Sequence, residues 1–123
     1  MLSSQETNKL MKVQNFRSVN RYHHASVLVN NHIYIFGGSR PSIPRDNQFF
    51  DIDLTPRREK ETEIAVNNPP PRRGDHSMVY YKGSLYVFGG ELLRENIFYS
   101  DFYQFNLSLF CFCFPFLSVP SYR

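Results

Sequence analysis

The sequence has no tryptophan and only two cysteines among its 123 residues. Cys111 and Cys113 are separated by a single residue, without the two-residue spacing of zinc-binding cysteine pairs, and every histidine lies far from them along the chain. Two cysteines this close on an extended chain are also awkward disulfide partners. The cysteines therefore argue against a zinc site and against an internal disulfide.

Residues 1–8 contain no apolar core of the kind that a secretory signal peptide needs. We therefore expect a protein of the cytoplasm, with the nucleus as the alternative, in which thiols stay reduced. The segment after Leu107 is apolar, but it is too short to span a bilayer as a helix and it contains Pro115. No membrane partner is expected.

Catalytic and nucleotide-binding patterns are also missing. No serine or cysteine has a recognisable base nearby, and no pair of carboxylates recurs. The pairs Gly37-Gly38 and Gly89-Gly90 are not followed by Gly-Lys-Ser/Thr, so structural glycines are favoured over a phosphate loop. A net charge of +3 with two isolated Arg-Arg pairs does not make a nucleic-acid patch. We predict no enzyme activity, no cofactor, no metal and no nucleic-acid partner.

The chain contains two similar copies of one seven-residue sequence pattern. Residues 32–38 read HIYIFGG and residues 84–90 read SLYVFGG, at a spacing of 52. Each run is apolar at successive positions instead of alternating with polar residues, so both faces of its sheet must be covered. The pairs Asn30-Asn31 and Lys82-Gly83 precede the two runs and predict two-residue hairpin turns.

The similarity extends on both sides of these runs. Two further residue pairs recur at the spacing of 52, namely Arg21 and Arg73, and His24 and His76, in addition to Tyr34 and Tyr86 within the runs. A third strand is predicted at residues 48–54 and again at residues 101–107, at a spacing of 53, with the extra residue in the preceding loop. Self-similarity over strand, turn, strand, loop and strand is typical of the blades of an all-β propeller.

The combination of Arg-x-x-His, a hairpin and an aromatic residue before Gly-Gly resembles the kelch repeat of β-propellers. The Pro-Pro-Arg-Arg-Gly-Asp-His lead into the second copy strengthens the resemblance. It implies antiparallel four-stranded blades around a central channel, here a partial propeller of about two blades with the second incomplete. Kelch repeats usually carry a tryptophan on the fourth strand, and Ile64 or a neighbour is expected to fill that place.

The resemblance divides the chain into five parts. They are a disordered N-terminus at residues 1–8, an outer strand of a preceding blade at 9–20, kelch repeat 1 at 21–68, an incomplete kelch repeat 2 at 69–107 and an apolar non-kelch tail at 108–123. Within the first repeat, the charged run 55–63 is interpreted as a solvated connection. A short outer strand is predicted at residues 64–66.

The recurring residues are interpreted as structural groups that hydrogen-bond neighbouring backbone. They are Arg21, His24, Tyr34, Gly37, Gly38, Arg73, His76, Tyr86, Gly89 and Gly90. Four loop arginines are candidates for contact with a partner, namely Arg40, Arg45, Arg72 and Arg73. In kelch proteins, similar loop arginines can meet acidic peptide motifs, and bidentate pairing with carboxylates would supply the binding energy.

The function that the resemblance implies is protein–protein interaction, through an adaptor or scaffold surface, with recruitment of substrates to a ubiquitin ligase as the family-based example. A truncated or mis-spliced propeller fragment without independent function is the alternative, because fewer than two blades cannot close a ring, and the tail without a blade pattern supports it. A kelch-type propeller enzyme such as a copper oxidase is a weaker alternative. The set of Tyr, His and Cys ligands that such an oxidase needs cannot be assembled from this sequence.

Overall fold

The computed structural model of the chain describes residues 10–112. Most strands in that range belong to two four-stranded antiparallel sheets. The strands are β1 (Ala25–Val29), β2 (His32–Phe36), β3 (Phe49–Asp53), β4 (Lys60–Glu63), β5 (Ser77–Tyr81), β6 (Ser84–Phe88), β7 (Glu91–Leu92), β8 (Ile97–Phe98), β9 (Phe102–Asn106) and β10 (Cys111–Phe112). Residues 1–8, for which disorder is predicted, and residues 113–123 of the predicted tail lie outside the described residues.

The two sheets are built in the same way. The first blade has the order β1-β2-β3-β4, and the second blade has β5, β6, β9 and β10 in the equivalent order. All neighbouring strands are antiparallel, and the short pair β7 and β8 lies in the loop between β6 and β9. This arrangement confirms the predicted all-β class with two partial-propeller blades.

Tight turns join the first two strands of each blade. In the second blade, Tyr81 pairs with Ser84 and leaves Lys82 and Gly83 as a two-residue turn. Both turn residues have positive φ, at 46° and 86°, as a type I′ turn requires. Asn30 takes the corresponding left-handed conformation in the first blade, with φ of 55°. Both turns occur where the sequence predicts them.

The apolar positions on β2 are explained by burial on two faces, whereas on β6 Leu85 and Val87 are buried but Tyr86 and Phe88 on the other face are only partly buried. Tyr34 and Phe36 of β2 enter a core that they share with Leu85 and Val87 of β6. Ile35 belongs to a smaller cluster on the other face of the first blade, which β3 completes. Alternate side chains of one strand therefore enter two different cores.

Aromatic rings from both blades close the shared core. Phe49 of β3 lies edge-on to Phe105 of β9, with ring centroids 4.8 Å apart, and Phe112 of β10 lies 4.8 Å from Phe105. All three side chains are buried. Such aromatic pairs add about 0.5–1.5 kcal/mol beyond the burial of their area. Because the blades share one core, the loops at their common edge are held in a defined relation to each other.

The segment before the first repeat does not form the predicted outer strand. Residues 10–16 pair with no strand, and a short 3-10 helix covers Arg17–Val19. The backbone N–H of Ser18 donates to the Glu61 carboxylate, and Phe16 packs against the first blade. The prediction is wrong: the Glu61 carboxylate, and not a neighbouring strand, binds the backbone N–H groups of Arg17 and Ser18.

The fourth strand of the first blade lies earlier than predicted. It is β4, which falls inside the charged run 55–63, whereas residues 64–66 are not a strand. An edge strand tolerates charged side chains, which also discourage pairing with another chain, so charge concealed this strand in the sequence. Ile64 follows it directly and is buried in the core shared by the blades.

The second blade continues beyond residue 107, where the sequence interpretation ended the repeat. β10 places Phe112 opposite Phe105 and supplies a fourth strand of two residues. The Asn106 side chain accepts a hydrogen bond from the backbone N–H of Leu109 at 2.8 Å and so shapes the turn into β10. This turn contains neither glycine nor proline, and its asparagine lies within the predicted third strand, so the turn was not recognised from the sequence.

Candidate functional site

Arg73 is fully buried at the edge where β6 ends. Its guanidinium donates to the carbonyl of Gly89 at 2.9 Å and to Asp101 Oδ2 at 2.9 Å, and its Nε donates to the carbonyl of Pro71 at 3.0 Å. The guanidinium carbon also lies 4.0 Å from the ring centroid of Tyr99. One side chain therefore ties together three separate segments of the second blade.

Arg21 does the same in the first blade. Its Nη1 donates to the carbonyl of Gly37 at 2.8 Å and to Asp46 Oδ1 at 3.0 Å, and its Nε donates to the carbonyl of Ser18 at 2.7 Å. The guanidinium lies over the Phe50 ring. We call each arginine, with the glycine carbonyl and carboxylate that it binds, an arginine clasp. The two clasps fix the backbone just beyond β2 and β6.

His76 connects the two blades. Its Nε2 donates to the carbonyl of Phe36 at 2.8 Å, and the two rings meet edge-to-face. The histidine occupies space that a side chain at residue 37 would need, because a Cβ added to Gly37 would lie 2.7 Å from His76 Cε1. His24, at the corresponding position of the first blade, is partly buried. The first glycine of the first pair therefore makes room for a side chain of the second blade.

Burial lowers the pKa of His76 to about 4, and the positive charges of Arg73 and His24 act in the same direction. The hydrogen bond to Phe36 opposes this shift but does not cancel it. Burial, together with the charge of Arg21, also lowers the pKa of His24. At neutral pH the His76 ring is therefore uncharged, with its proton on Nε2 because a carbonyl oxygen can only accept.

This histidine predicts a dependence of stability on pH. In the unfolded chain His76 takes up a proton near pH 6.5, whereas its pKa in the folded protein is about 4. Between these values the unfolded state binds more protons, so acid favours it. We expect the free energy of unfolding, measured with urea, to fall by about 1.5 kcal/mol between pH 6.5 and pH 5.

The matched variant for this measurement is His76→Gln, which keeps an N–H donor but does not titrate. It should show a much weaker dependence of unfolding free energy on pH across the same window. An unchanged dependence in His76→Gln would contradict the assignment to this residue.

Loops from both blades meet just beyond the two Gly-Gly pairs, at what we call the loop edge. They surround an open cavity of about 190 Å³. It is lined by Tyr22, Ser39, Pro44, Arg45, Arg72, Leu93, Arg94 and Glu95. Tyr22 and Leu93 are more than half exposed. The lining therefore combines accessible apolar groups with guanidinium groups.

Two of the candidate arginines line this cavity, and they differ in what they bind. The Arg45 side chain is 12% exposed, and its guanidinium lies 2.8 Å from the Glu91 carboxylate and 2.6 Å from Ser39 Oγ. The Arg72 side chain is 49% exposed, and its Nη2 lies 3.4 Å from Glu95 Oε2. Arg45 is thus engaged inside the protein, whereas Arg72 is accessible from solvent.

The other two candidate arginines lie elsewhere. Arg40 donates from Nε to Asp46 Oδ2 at 3.1 Å and does not line the cavity. Arg73 follows Arg72 directly in the chain, but its side chain is buried in its clasp. Burial therefore removes Arg73 from the residues available to a partner, although the sequence interpretation placed it in both the structural and the partner-binding groups.

The family model of the KLHDC2/KLHL20/DRC7 Kelch-repeats domain matches residues 2–113. This chain belongs to the Kelch-repeat family. Its relatives include Kelch domain-containing protein 3 of Rattus norvegicus and of Homo sapiens, which are 31% and 30% identical over 90 residues. Each match covers 68% of this chain and 24% of the relative, so the chain spans about a quarter of the length of these proteins.

A solved structure, that of YjhT, matches the chain with a TM-score of 0.61 at 20% identity. The match covers 77% of this chain and 27% of YjhT, and at this identity it supports a shared fold alone. The resemblance of the Arg-x-x-His and Gly-Gly pattern to a partial set of kelch repeats is thus confirmed. Kelch-repeat domains are commonly protein-interaction modules.

The repeat pattern predicts neither the acidic partners of the two arginine clasps nor several residues of the cavity. Asp46 and Asp101 are 55 residues apart, which differs from the repeat spacings of 52 and 53, so no register connects them. Tyr22, Leu93 and Arg94 do not recur at the repeat spacing, although Tyr22 directly follows Arg21, which does. The single extra residue between β6 and β9 was the only signal that this loop differs from its counterpart.

Within residues 10–112, no group of three His, Cys, Asp or Glu side chains is placed to hold a metal ion. Cys111 is a free, partly buried thiol. In the same range, no helix has the length and apolar character needed to cross a membrane.

Proposed function

We propose that this chain is a protein-interaction module whose loop edge binds an acidic peptide segment of a partner, with Arg72 as the principal cationic contact. The observation that carries the proposal is the position of its half-exposed guanidinium in the cavity between the blades. Its neighbour Arg73 is buried, so only one of the two adjacent charges is offered to a partner.

The chemistry of the cavity supports a peptide ligand. A guanidinium presents a planar fork of N–H donors that matches the two oxygens of a carboxylate. Arg94, which also lines the cavity and is exposed, adds a second positive charge. Tyr22 and Leu93 offer apolar surface beside these charges. An extended segment that alternates acidic and apolar side chains fits this lining.

The cellular role that we propose is that of an adaptor or scaffold in the cytoplasm, and recruitment of substrates to a ubiquitin ligase is its family-based form. The interaction-module interpretation is favoured over a fragment without independent function, because the family model covers most of the chain. The packing of both blades around one core is also what a binding surface requires.

Removing the Arg72 guanidinium should weaken binding of an acidic peptide. We expect Arg72→Ala to reduce affinity about three- to tenfold, because one charge-assisted contact at a half-exposed site is lost. The probe is a fluorescein-labelled peptide of alternating glutamate and leucine, and fluorescence anisotropy measures its binding. A twin peptide with glutamine in place of glutamate measures the part of the affinity that does not depend on carboxylates.

Arg58→Ala is the matched control. Arg58 is exposed in the turn between β3 and β4, at the edge of the first blade opposite the cavity. The two variants have the same net charge, so a general electrostatic effect would weaken both equally. Equal affinities of Arg72→Ala and the unmodified chain, or equal losses in the two variants, would argue against the proposed site.

A further inference from the structure

We propose that Glu95 is a built-in competitor for the carboxylate of an acidic peptide at Arg72. This inference rests on the proposed function and concerns the regulation of the same site. Glu95 and Arg72 both line the cavity, and Glu95 Oε2 lies 3.4 Å from Arg72 Nη2. The group that occupies the proposed site in the isolated chain is therefore itself a carboxylate.

The contact between the two residues has the properties of an exchangeable ion pair. Both side chains are about half exposed, at 49% for Arg72 and 45% for Glu95. The distance of 3.4 Å is at the long end for a charge-assisted hydrogen bond. Water can solvate either group when they part, so separation has a small energetic cost. A carboxylate from a ligand can replace that of Glu95 with no net change in buried charge.

The neighbouring carboxylate behaves differently. Glu91, from the same loop, is bound to Arg45 at 2.8 Å with both side chains 12% exposed. Glu91 also accepts a hydrogen bond from the backbone N–H of Leu93 at 3.0 Å. Separating this pair would leave charges in a poorly hydrated position, so it is a structural contact. The comparison identifies Glu95, and not Glu91, as the residue that a ligand can displace.

The loop places Glu95 at the site in a defined way. The short strands β7 and β8 pair with each other, and the 3-10 helix Leu93–Glu95 lies between them. Asn96 ends that helix in the left-handed conformation, with its N–H bonded to the Leu93 carbonyl at 3.0 Å. Because Arg45 anchors Glu91, the loop is held in place, and the carboxylate of Glu95 stays near Arg72.

When a peptide carboxylate binds Arg72, it displaces Glu95, whose negative charge then lies close to the acidic peptide. Both the lost ion pair and the repulsion reduce affinity, and the repulsion is screened by salt. The intramolecular competitor therefore selects against weakly acidic segments, which cannot replace it.

The test uses the same glutamate–leucine peptide and its glutamine twin on the full chain. We expect Glu95→Gln to bind the acidic peptide about two- to fivefold more tightly than the unmodified chain. Binding of the glutamine twin should not change. The gain from Glu95→Gln should be smaller when it is introduced into Arg72→Ala than when it is introduced into the unmodified chain, because the competitor acts mainly through Arg72. Glu59→Gln, in the turn between β3 and β4 at the opposite edge, changes the charge equally and should have no effect.

The outcomes separate the two proposals. If the unmodified chain prefers the acidic peptide and Arg72→Ala weakens it, but Glu95→Gln has unchanged affinity, only the competitor is overturned. If Glu95→Gln raises affinity by the same factor in Arg72→Ala as in the unmodified chain, the competitor is overturned as well, because Glu95 would then act by general repulsion. If no variant distinguishes the acidic peptide from its glutamine twin, both proposals fail.

Discussion

Arg73→Met should lower the free energy of unfolding by about 3–5 kcal/mol, the cost of breaking a buried ion pair by removing one partner. Methionine has a similar length and fills most of the volume, so the loss reports the charge and its hydrogen bonds. The Asp101 carboxylate and the carbonyls of Gly89 and Pro71 would all lose their donor. We expect the lower part of the range, because the Asp101 side chain is 24% exposed and water can reach it.

Arg72→Met provides the matched control for this prediction. The two arginines are adjacent, and their variants have the same charge and composition, but Arg72 is half exposed and pairs with Glu95 at the surface. Its loss should cost less than about 1 kcal/mol. Urea unfolding followed by far-ultraviolet circular dichroism measures both, since the sequence has no tryptophan to report by fluorescence. Similar losses in the two variants would contradict the clasp.

The second large effect is expected at Gly38. Its φ is 90°, and a Cβ added there would lie 2.6 Å from the carbonyl oxygen of Tyr22 and 2.8 Å from the backbone nitrogen of His24. Backbone atoms cannot rotate away as the end of a side chain can. Gly38→Ala should therefore lose about 3–4 kcal/mol, from the left-handed conformation and from the displaced chain together.

Gly89→Ala separates these two causes. Gly89 has a φ of 73°, but a Cβ added there meets no atom within 4 Å. Only the conformational cost applies, so we expect a loss of about 1–2 kcal/mol in the same unfolding measurement. If Gly38→Ala and Gly89→Ala lose equal stability, close packing of the β2 end against the segment before β1 does not contribute.

Local patterns in the sequence predicted the central strands well. The polar pairs before β2 and β6 mark tight turns, and the consecutive apolar residues of β2 are covered on both faces. Both properties depend on residues close together in the chain. The outer strands were harder to predict, because β4 is charged and β10 is only two residues long. Their place in a sheet depends on pairing with β3 and β9, and not on their own composition.

The candidate site was predictable only in part. Recurrence at a spacing of 52 indicated that Arg21 and Arg73 share a role. It did not reveal their carboxylate partners, since Asp46 and Asp101 lie at different positions of their loops. Glu95 and Arg94 carry no repeated signal at all. Loop residues come together only when the two blades pack, so their neighbours cannot be read from spacing.

The sequence by itself determined that the glycine-closed runs are the inner hairpins of repeated blades, because their turns and two-faced apolar strands are local properties. Only the tertiary structure decided which of the adjacent residues Arg72 and Arg73 is buried and which is exposed. One guanidinium turns inward to a carboxylate that β9 brings close, and the other is left at a cavity formed by loops from both blades. The reason is physical: a buried charge needs a partner placed by the fold, whereas an exposed one needs only water.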